Sequence, residues 1–178
     1  MIRCNLAILL AEMGLKITKL SKDTGISRTT LTSLANNYSQ GIQLETLNTL
    51  CCYLKITPND LLSFVPIDVT VSYTSLSGNQ LDIELTITEK SKSKDCKLSA
   101  IVTTEICSDR LDSVDIYAFL NDNDSPEKIA ENELIKKTIT SLPRPFLNDL
   151  ENKIIDRVVD EFEYVSDNLF VSFEWQNW

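Results

Sequence analysis

The sequence predicts two domains of different class, an all-α N-terminal domain of five helices over residues 1–66 and an α+β C-terminal domain over residues 67–178. Three observations lead to this prediction. Apolar residues recur every three or four positions up to about Leu62, and every second position after Val65. A helix-turn-helix pattern occupies residues 15–34. The net charge also changes sign between the two parts.

The charge of the chain is concentrated in its second part. Residues 1–66 hold six Lys and Arg against four acids, a net charge of +2, whereas the remainder holds 11 basic and 22 acidic residues, a net charge of −11. Because Lys and Arg neutralise phosphates in most protein–DNA complexes, only the N-terminal domain could form a DNA surface. Its positive excess is small, so we expect one copy to bind weakly and two half-sites to be engaged together.

Residues 15–34 contain the pattern of two short helices joined by a tight turn. Gly25 falls where the first helix must end, and glycine adopts the left-handed conformation there without a steric penalty. Ser27 supplies a hydroxyl oxygen that can cap the second helix. Leu31 and Leu34, three residues apart, are predicted to point inward and leave a polar face outward. Such a face, short and rich in hydrogen-bond donors, suits the major groove of DNA.

This segment, with Gly25 at the turn and Ser27 opening a leucine-lined helix, resembles the Cro/phage-repressor (XRE-type) helix-turn-helix family over roughly residues 1–64. The resemblance implies a lambda-repressor-like fold in which five helices pack together and the third enters the major groove. It also implies a set of base-reading residues on that helix, namely Ser27, Arg28, Thr29, Thr32 and Ser33.

The same resemblance implies contacts to the DNA backbone. The end of the recognition helix and the loop after it supply Asn36, Asn37 and Tyr38, and we expect Lys19 and Lys22 to help position the backbone. The sequence departs from the family at Lys16 and Ile17, where a hydroxyl cap followed by glutamine is common. The phosphate contact of that glutamine is therefore not carried over.

The second domain is predicted to contain four strands, two helices and a last strand. The segments with strand alternation are 69–74, 81–88, 98–104, 114–120 and 169–175, and residues 90–95 are predicted to form a hairpin tip. One helix is predicted from the cap Ser125 to about Ser141, and a second follows the prolines Pro143 and Pro145. We therefore expect an antiparallel sheet of about five strands covered by two helices, an order that faintly resembles SecB-like chaperone folds.

The composition excludes the common kinds of catalytic site. The chain contains no histidine, so Ser-His-Asp and Cys-His arrangements cannot form. Self-cleaving repressors are usually cut at an Ala-Gly bond, and the chain has no Ala-Gly pair. Its four glycines form no phosphate-binding loop. We therefore expect that the protein is not an enzyme and needs no cofactor.

Metal binding is not expected either. The five cysteines form no C-x-x-C pair, so reduced thiols in a cytoplasmic protein are the simplest interpretation, with Cys51 a small core residue. The acidic and amide residues 121–124 suggest a calcium loop, but they lack the glycine and the distal glutamate of an EF-hand. The chain also lacks an apolar run of about 18 residues and a signal-peptide layout, so we expect no membrane span.

The leading hypothesis is a sequence-specific transcriptional regulator, a repressor of a phage, prophage or mobile element that binds a symmetric operator as a homodimer. Its C-terminal domain would supply dimerisation or partner capture, and the late aromatic residues Phe170, Phe173, Trp175 and Trp178 could form either interface or core. The alternative is an antitoxin or SecB-like chaperone-type protein. Its acidic domain would bind a basic partner, such as an antirepressor or toxin, and its DNA binding would serve autoregulation.

Overall fold

The structure is a computed structural model that describes residues 1–121 and 125–176. It contains two compact units, Met1–Val65 and Pro66–Trp178. Residues 122–124 of the considered calcium loop, and the aromatic residue Trp178, lie outside the described residues. Within those residues, no helix combines the length and the apolar character that crossing a lipid bilayer requires.

The first unit consists mainly of short helices around a leucine core. Its elements are β1 (Ile2–Cys4), α1 (Leu6–Glu12), α2 (Ile17–Thr24), α3 (Arg28–Ala35), α4 (Leu44–Leu54), α5 (Pro58–Leu61) and β2 (Leu62–Phe64). Leu6, Leu20, Leu31, Leu50 and Leu61 are fully buried. Helices this short are marginal alone, so their stability comes from this shared core.

The last helix of this unit is a single turn held by its cap. The hydroxyl and the backbone N–H of Thr57 both donate to the Asp60 carboxylate, at 2.6 and 2.8 Å. These bonds lower the pKa of Asp60, because they stabilise its ionised form. Thr57 followed by Pro58 in the sequence predicts this cap and helix start, and the structure confirms both.

Three predictions for this unit are wrong. The unit is not all-α, because β1 and β2 pair antiparallel with Arg3 opposite Ser63. The residues that flank this pair reinforce it, since the Met1 ammonium donates to the Val65 carbonyl at 2.8 Å. The apolar spacing from Leu6 to Met13 predicts a first helix from about Arg3, but α1 begins at Leu6. On α4, the spacing of Leu44, Leu47 and Cys51 predicts that Leu44 is buried, but it is 80% exposed, because the buried stripe begins one turn later.

The second unit contains one five-stranded sheet and two long helices. Its elements are β3 (Ile67–Ser77), β4 (Gln80–Glu89), β5 (Lys92–Cys107), β6 (Arg110–Phe119), α6 (Pro126–Ser141), α7 (Arg144–Val159) and β7 (Val165–Trp175). The predicted order of four strands, two helices and one strand is confirmed. The predicted cap at Ser125 is also present, because its hydroxyl accepts the Lys128 N–H at 3.3 Å.

The sheet has the order β3-β4-β5-β6-β7. The prediction of a fully antiparallel sheet is wrong. The four strands β3 to β6 form antiparallel hairpins, but β7 runs parallel to β6. A crossover through two helices returns the chain to the sheet in the direction of the previous strand, which explains the parallel pair. The hairpin tip is also shorter than predicted: it consists of Lys90 and Ser91, both with positive φ, and β5 begins at Lys92.

One face of the sheet is buried against the helices. Alternate residues of β4, such as Ile83 and Leu85, are almost fully buried, as are Ile135 on α6 and Ile154 on α7. Directly opposite residues on neighbouring strands share a face, so the pairing register identifies the other face of the sheet. That second face carries Asp82, Glu84 and Thr86 of β4 and the residues opposite them; it is largely polar, and we call it the open face.

Beyond the end of β6, the Glu131 carboxylate of α6 binds the backbone of β5 and forms an ion pair with Lys128. The ladder between β5 and β6 begins at Ser99, and beyond it the Lys97 N–H donates to the Glu131 carboxylate on α6. Lys128 donates to the same carboxylate at 2.9 Å and to the Lys97 carbonyl at 3.1 Å. Burial alone would raise the pKa of Glu131, but these hydrogen bonds outweigh it and lower that pKa.

Candidate nucleic-acid interface

Helices α2 and α3 are joined by a turn that local hydrogen bonds fix on both sides. Gly25 ends α2 with φ +76°, and its N–H donates to the Ser21 carbonyl at 2.9 Å. The Ser21 hydroxyl donates to the Ile26 carbonyl at 2.6 Å, and the Thr24 hydroxyl donates to the Leu20 carbonyl at 2.7 Å. Sequence reasoning found Gly25 but missed these two hydroxyls, although serine and threonine near a helix end often make such bonds.

Helix α3 presents its polar side chains to solvent while Leu31 and Leu34 are buried. Ser27 is the cap, as predicted, and its hydroxyl oxygen accepts the Thr30 N–H at 3.1 Å. Of the five predicted base-reading residues, Ser27, Arg28, Thr29 and Thr32 are exposed and Ser33 is half-buried. The structure therefore brings all five onto or beside one solvent-facing helix surface.

Exposed basic residues lie on α2 and at its start. Lys19 and Lys22 are exposed, as is Lys16, the residue that precedes α2. The neighbouring acid, Asp23, accepts a hydrogen bond from the Tyr53 hydroxyl of α4 at 2.6 Å. This bond raises the pKa of Tyr53, because deprotonation would place two negative charges together. It also ties α2 to α4.

The three residues after α3 have different roles. Asn36 is exposed, and Tyr38 is 69% exposed in the following loop. Asn37, by contrast, has φ +58° and uses both ends of its side-chain amide: its oxygen accepts the Cys4 N–H at 2.7 Å, and its nitrogen donates to the Cys4 carbonyl at 3.1 Å. Asn37 thus binds the backbone of β1 instead of presenting its amide to solvent.

A second group of polar residues lies beside the recognition helix. A cleft of about 420 Å³ separates the first turns of α3 and α4, and it is lined by Ser27, Thr30, Gln43 and Thr46 among others. Gln43 precedes α4, and its side chain makes no capping bond with that helix. Sequence reasoning missed Thr30, Gln43 and Thr46. The polar loop 36–41 shortly before α4 was the signal that could have indicated Gln43 and Thr46.

The first unit is similar in sequence to known proteins. Residues 5–66 match the family described as the Cro/C1-type HTH DNA-binding domain. The HTH-type transcriptional regulator YozG of Bacillus subtilis (strain 168) is 33% identical over 60 residues, which are 34% of this chain and 71% of that protein. The chain belongs to the Cro/C1-type helix-turn-helix family. A solved structure of a protein from Bacteroides fragilis, described as DNA-binding, is 25% identical and covers 35% of this chain and 100% of that chain, with a TM-score of 0.33.

As a member of the Cro/C1-type family, the chain carries a helix-turn-helix DNA-binding domain of a transcriptional regulator. The match ends at residue 66, next to the boundary between the two compact units. The second unit therefore lies outside the matched region, and its role has to be inferred from its own surfaces.

Proposed function

We propose that the protein is a sequence-specific transcriptional repressor that binds a two-fold symmetric operator as a homodimer and blocks a promoter. A phage, prophage or other mobile element is the proposed setting. The observation that carries this proposal is the exposed polar face of α3, opened by Arg28 and flanked by exposed lysines of α2. A helix with such a face can enter the major groove while the lysines contact phosphates.

Each residue of this face has a proposed role. Arg28 contacts guanine, since its guanidinium can donate two hydrogen bonds to one base edge. Thr29, Thr32 and Ser33 read neighbouring bases or thymine methyl groups. Ser27 contributes mainly as the helix cap, because its oxygen already accepts a backbone N–H.

The proposed backbone contacts differ from the sequence prediction in two residues. Lys19, Lys22, Asn36 and Tyr38 remain proposed phosphate contacts because all four are exposed. Asn37 is removed because its amide holds β1. Gln43 is added, since it lies at the start of α4 beside the cleft and its side chain does not cap that helix.

The experiment is selection of bound DNA from a random pool by the full chain at near-physiological salt. The proposal expects enrichment of an inverted repeat whose half-site centres lie about 10 base pairs or a multiple apart. A matched control uses the variant Lys136→Ala, which removes an exposed lysine of α6 in the other unit and should select the same sequence. A pool that shows no enriched sequence, or enrichment of a single unrepeated half-site, contradicts the proposed operator.

A second candidate function is supported by the charge of the open face. Among the described residues, seven carboxylates share this face by their pairing register, against two cations, Arg110 and Lys97, of which Lys97 is paired with Glu84 at 2.7 Å. The carboxylates are Asp68, Asp82, Glu84, Asp95, Glu105, Asp115 and Glu174. Such a surface favours a basic protein partner, as for an antitoxin or a chaperone-type protein. Display of basic and acidic peptides of equal length tests this candidate. The candidate function requires that basic peptides are enriched and that the double variant Asp82→Asn with Asp115→Asn abolishes this enrichment. Equal recovery of basic and acidic peptides would refute it.

A further inference from the structure

A basic cleft lies at the tip of the hairpin between β4 and β5. Three lysines line it, Lys90 in the turn and Lys92 and Lys94 on β5, and its volume is about 320 Å³. By the pairing register, Lys92 and Lys94 lie on the face of the sheet that the helices cover, because Lys94 is directly opposite the buried Ile87. The cleft is therefore distinct from the acidic open face.

The charge of this cleft is opposite to that of the unit around it. Residues 67–178 carry a net charge of −11, yet three of their 11 basic residues fall within positions 90–94. All three lysines are exposed, and within the described part of the chain none of them forms an ion pair. Among the described residues a single acid, Glu89, lines the cleft, so three lysines and one glutamate give it a net charge of +2.

The carboxylate of α6 nearest in charge to this cleft, Glu131, is already bound elsewhere. It accepts the Lys97 N–H and the Lys128 ammonium. Burial raises the pKa of Glu131, and the charge of Lys94 is among the effects that outweigh burial and lower that pKa. Lys92 and Lys94 are two positions apart on one strand, roughly 7 Å, so their charges repel each other. An anion that enters the cleft would relieve this repulsion.

The floor of the cleft is apolar. Ile87 of β4 is 3% exposed and Leu134 of α6 is half-buried, and both line the cleft. Clefts that bind small molecules have volumes of about 300–1,000 Å³, so this one has room for a small ligand. Such a ligand would place an apolar group on Ile87 and Leu134 and an anionic group among the lysines.

We propose that this cleft binds a small organic phosphomonoester, with its phosphate among Lys90, Lys92 and Lys94 and its apolar group on the floor. A phosphomonoester carries a charge of about −1.5 to −2 at neutral pH, which matches the local charge of the cleft. A carboxylate or a phosphodiester has one negative charge and would leave a positive excess. Lysine is also a common phosphate ligand in proteins. This site goes beyond the proposed DNA binding and does not depend on it.

Titration of the full chain with phenyl phosphate in the absence of DNA, followed by the backbone amide signals in NMR spectra, tests the proposal. We expect saturable shifts at residues 89–94 and at Leu134. Two further probes separate the parts of the ligand. Inorganic phosphate lacks the apolar group, and phenyl sulfate keeps the shape but has a single negative charge. Each should bind at least about threefold more weakly than phenyl phosphate.

Lysine variants test the anionic part of the site. Lys92→Gln and Lys94→Gln should each weaken the binding of phenyl phosphate about two- to fivefold, and the double variant up to about thirtyfold. The matched control is Lys153→Gln, which removes the same charge from an exposed position of α7 in the same unit. It should change the dissociation constant less than about twofold, because solvent and salt screen a charge outside the cleft.

The variant Leu134→Ala tests the apolar part of the site. It should weaken the binding of phenyl phosphate and leave the binding of inorganic phosphate unchanged, since the lysines are intact. A variant that weakened both ligands equally would contradict the proposed position of the apolar group. Thermal unfolding of each variant, followed by circular dichroism, confirms that the second unit is folded during the titration.

Three results would overturn the proposal. Equal weakening by Lys92→Gln and Lys153→Gln would show a general charge effect. Equal affinities for phenyl phosphate, phenyl sulfate and inorganic phosphate would show unselective attraction of anions. Vesicles of phosphatidylcholine and phosphatidic acid present the same phosphate chemistry on a membrane, so binding to these vesicles without any shift by phenyl phosphate would exclude a small-molecule ligand. Because no DNA is present, these outcomes are independent of the DNA selection.

Discussion

Asn37 separates a structural role from a DNA contact, and the substitution Asn37→Ala distinguishes the two. The change removes the hydrogen bonds to the N–H and the carbonyl of Cys4, at 2.7 and 3.1 Å. Each such bond contributes about 0.5–1.5 kcal/mol. Alanine also tolerates the positive φ of this position less well than asparagine, at a cost of roughly 1 kcal/mol. We expect the first unit to lose about 2–4 kcal/mol of unfolding free energy.

The assay is urea unfolding of the full chain followed by two signals. Both tryptophans lie in the second unit, so tryptophan fluorescence reports that unit alone, whereas circular dichroism reports helices of both. With an m-value near 1 kcal/mol/M for so small a unit, the midpoint of the first unit should fall by about 2 M or more. The fluorescence transition should not move.

A matched variant isolates the backbone effect. Asn37→Gly loses the same two hydrogen bonds but accepts the positive φ, so it should be more stable than Asn37→Ala by about 1 kcal/mol. The reasoning is refuted if Asn37→Ala leaves both unfolding transitions unchanged while it weakens binding to a selected operator. That result would make Asn37 the phosphate contact that the family resemblance implied.

Three further predictions concern the turn, the ion pair and the thiols. Gly25→Ala adds a Cβ that meets nothing within 4 Å, so only the strain of φ +76° remains, and thermal unfolding should show a loss of about 1 kcal/mol. Because the pKa of Glu131 is lowered in the folded state, its carboxylate stabilises the fold above the ordinary glutamate pKa, and this stabilisation is lost as pH falls through the folded-state pKa. Glu131→Gln should therefore be less stable than wild type at neutral pH, and the difference in unfolding free energy should close in acid. Of the five cysteines, exposed Cys52 and Cys107 should react with a thiol reagent at once, and the three buried thiols, whose pKa burial raises, should react only after unfolding.

The local features of the helix-turn-helix segment could be predicted from sequence because each depends on near neighbours. Gly25 ends α2, Ser27 caps α3, and Leu31 is buried within a few residues of both. The spacing of the apolar residues and the type of the capping residues were therefore sufficient to predict this segment. The same holds for Ser125 at the start of α6. These features need no knowledge of how distant parts of the chain meet.

Features that depend on distant contacts were missed. Strand β1 has only three residues, and its partner β2 comes some sixty positions later, so the apolar period of α1 was wrongly extended back over it. The amide of Asn37 binds Cys4, 33 positions away. The parallel direction of β7 was predictable in principle from the helical crossover before it, but the alternating pattern of its residues gives no strand direction.

The central claim is that α3 reads DNA sequence through Arg28, and comparison of the sites selected by the wild type and by Arg28→Ala tests it most directly. We predict that wild type selects a guanine at one position of each half-site, and that Arg28→Ala loses preference at that position alone, a change of about 1–3 kcal/mol in discrimination. Lys19→Ala should lower affinity for all sequences without changing the preferred one. An unchanged site for Arg28→Ala, with the same affinity as wild type, would contradict the claim.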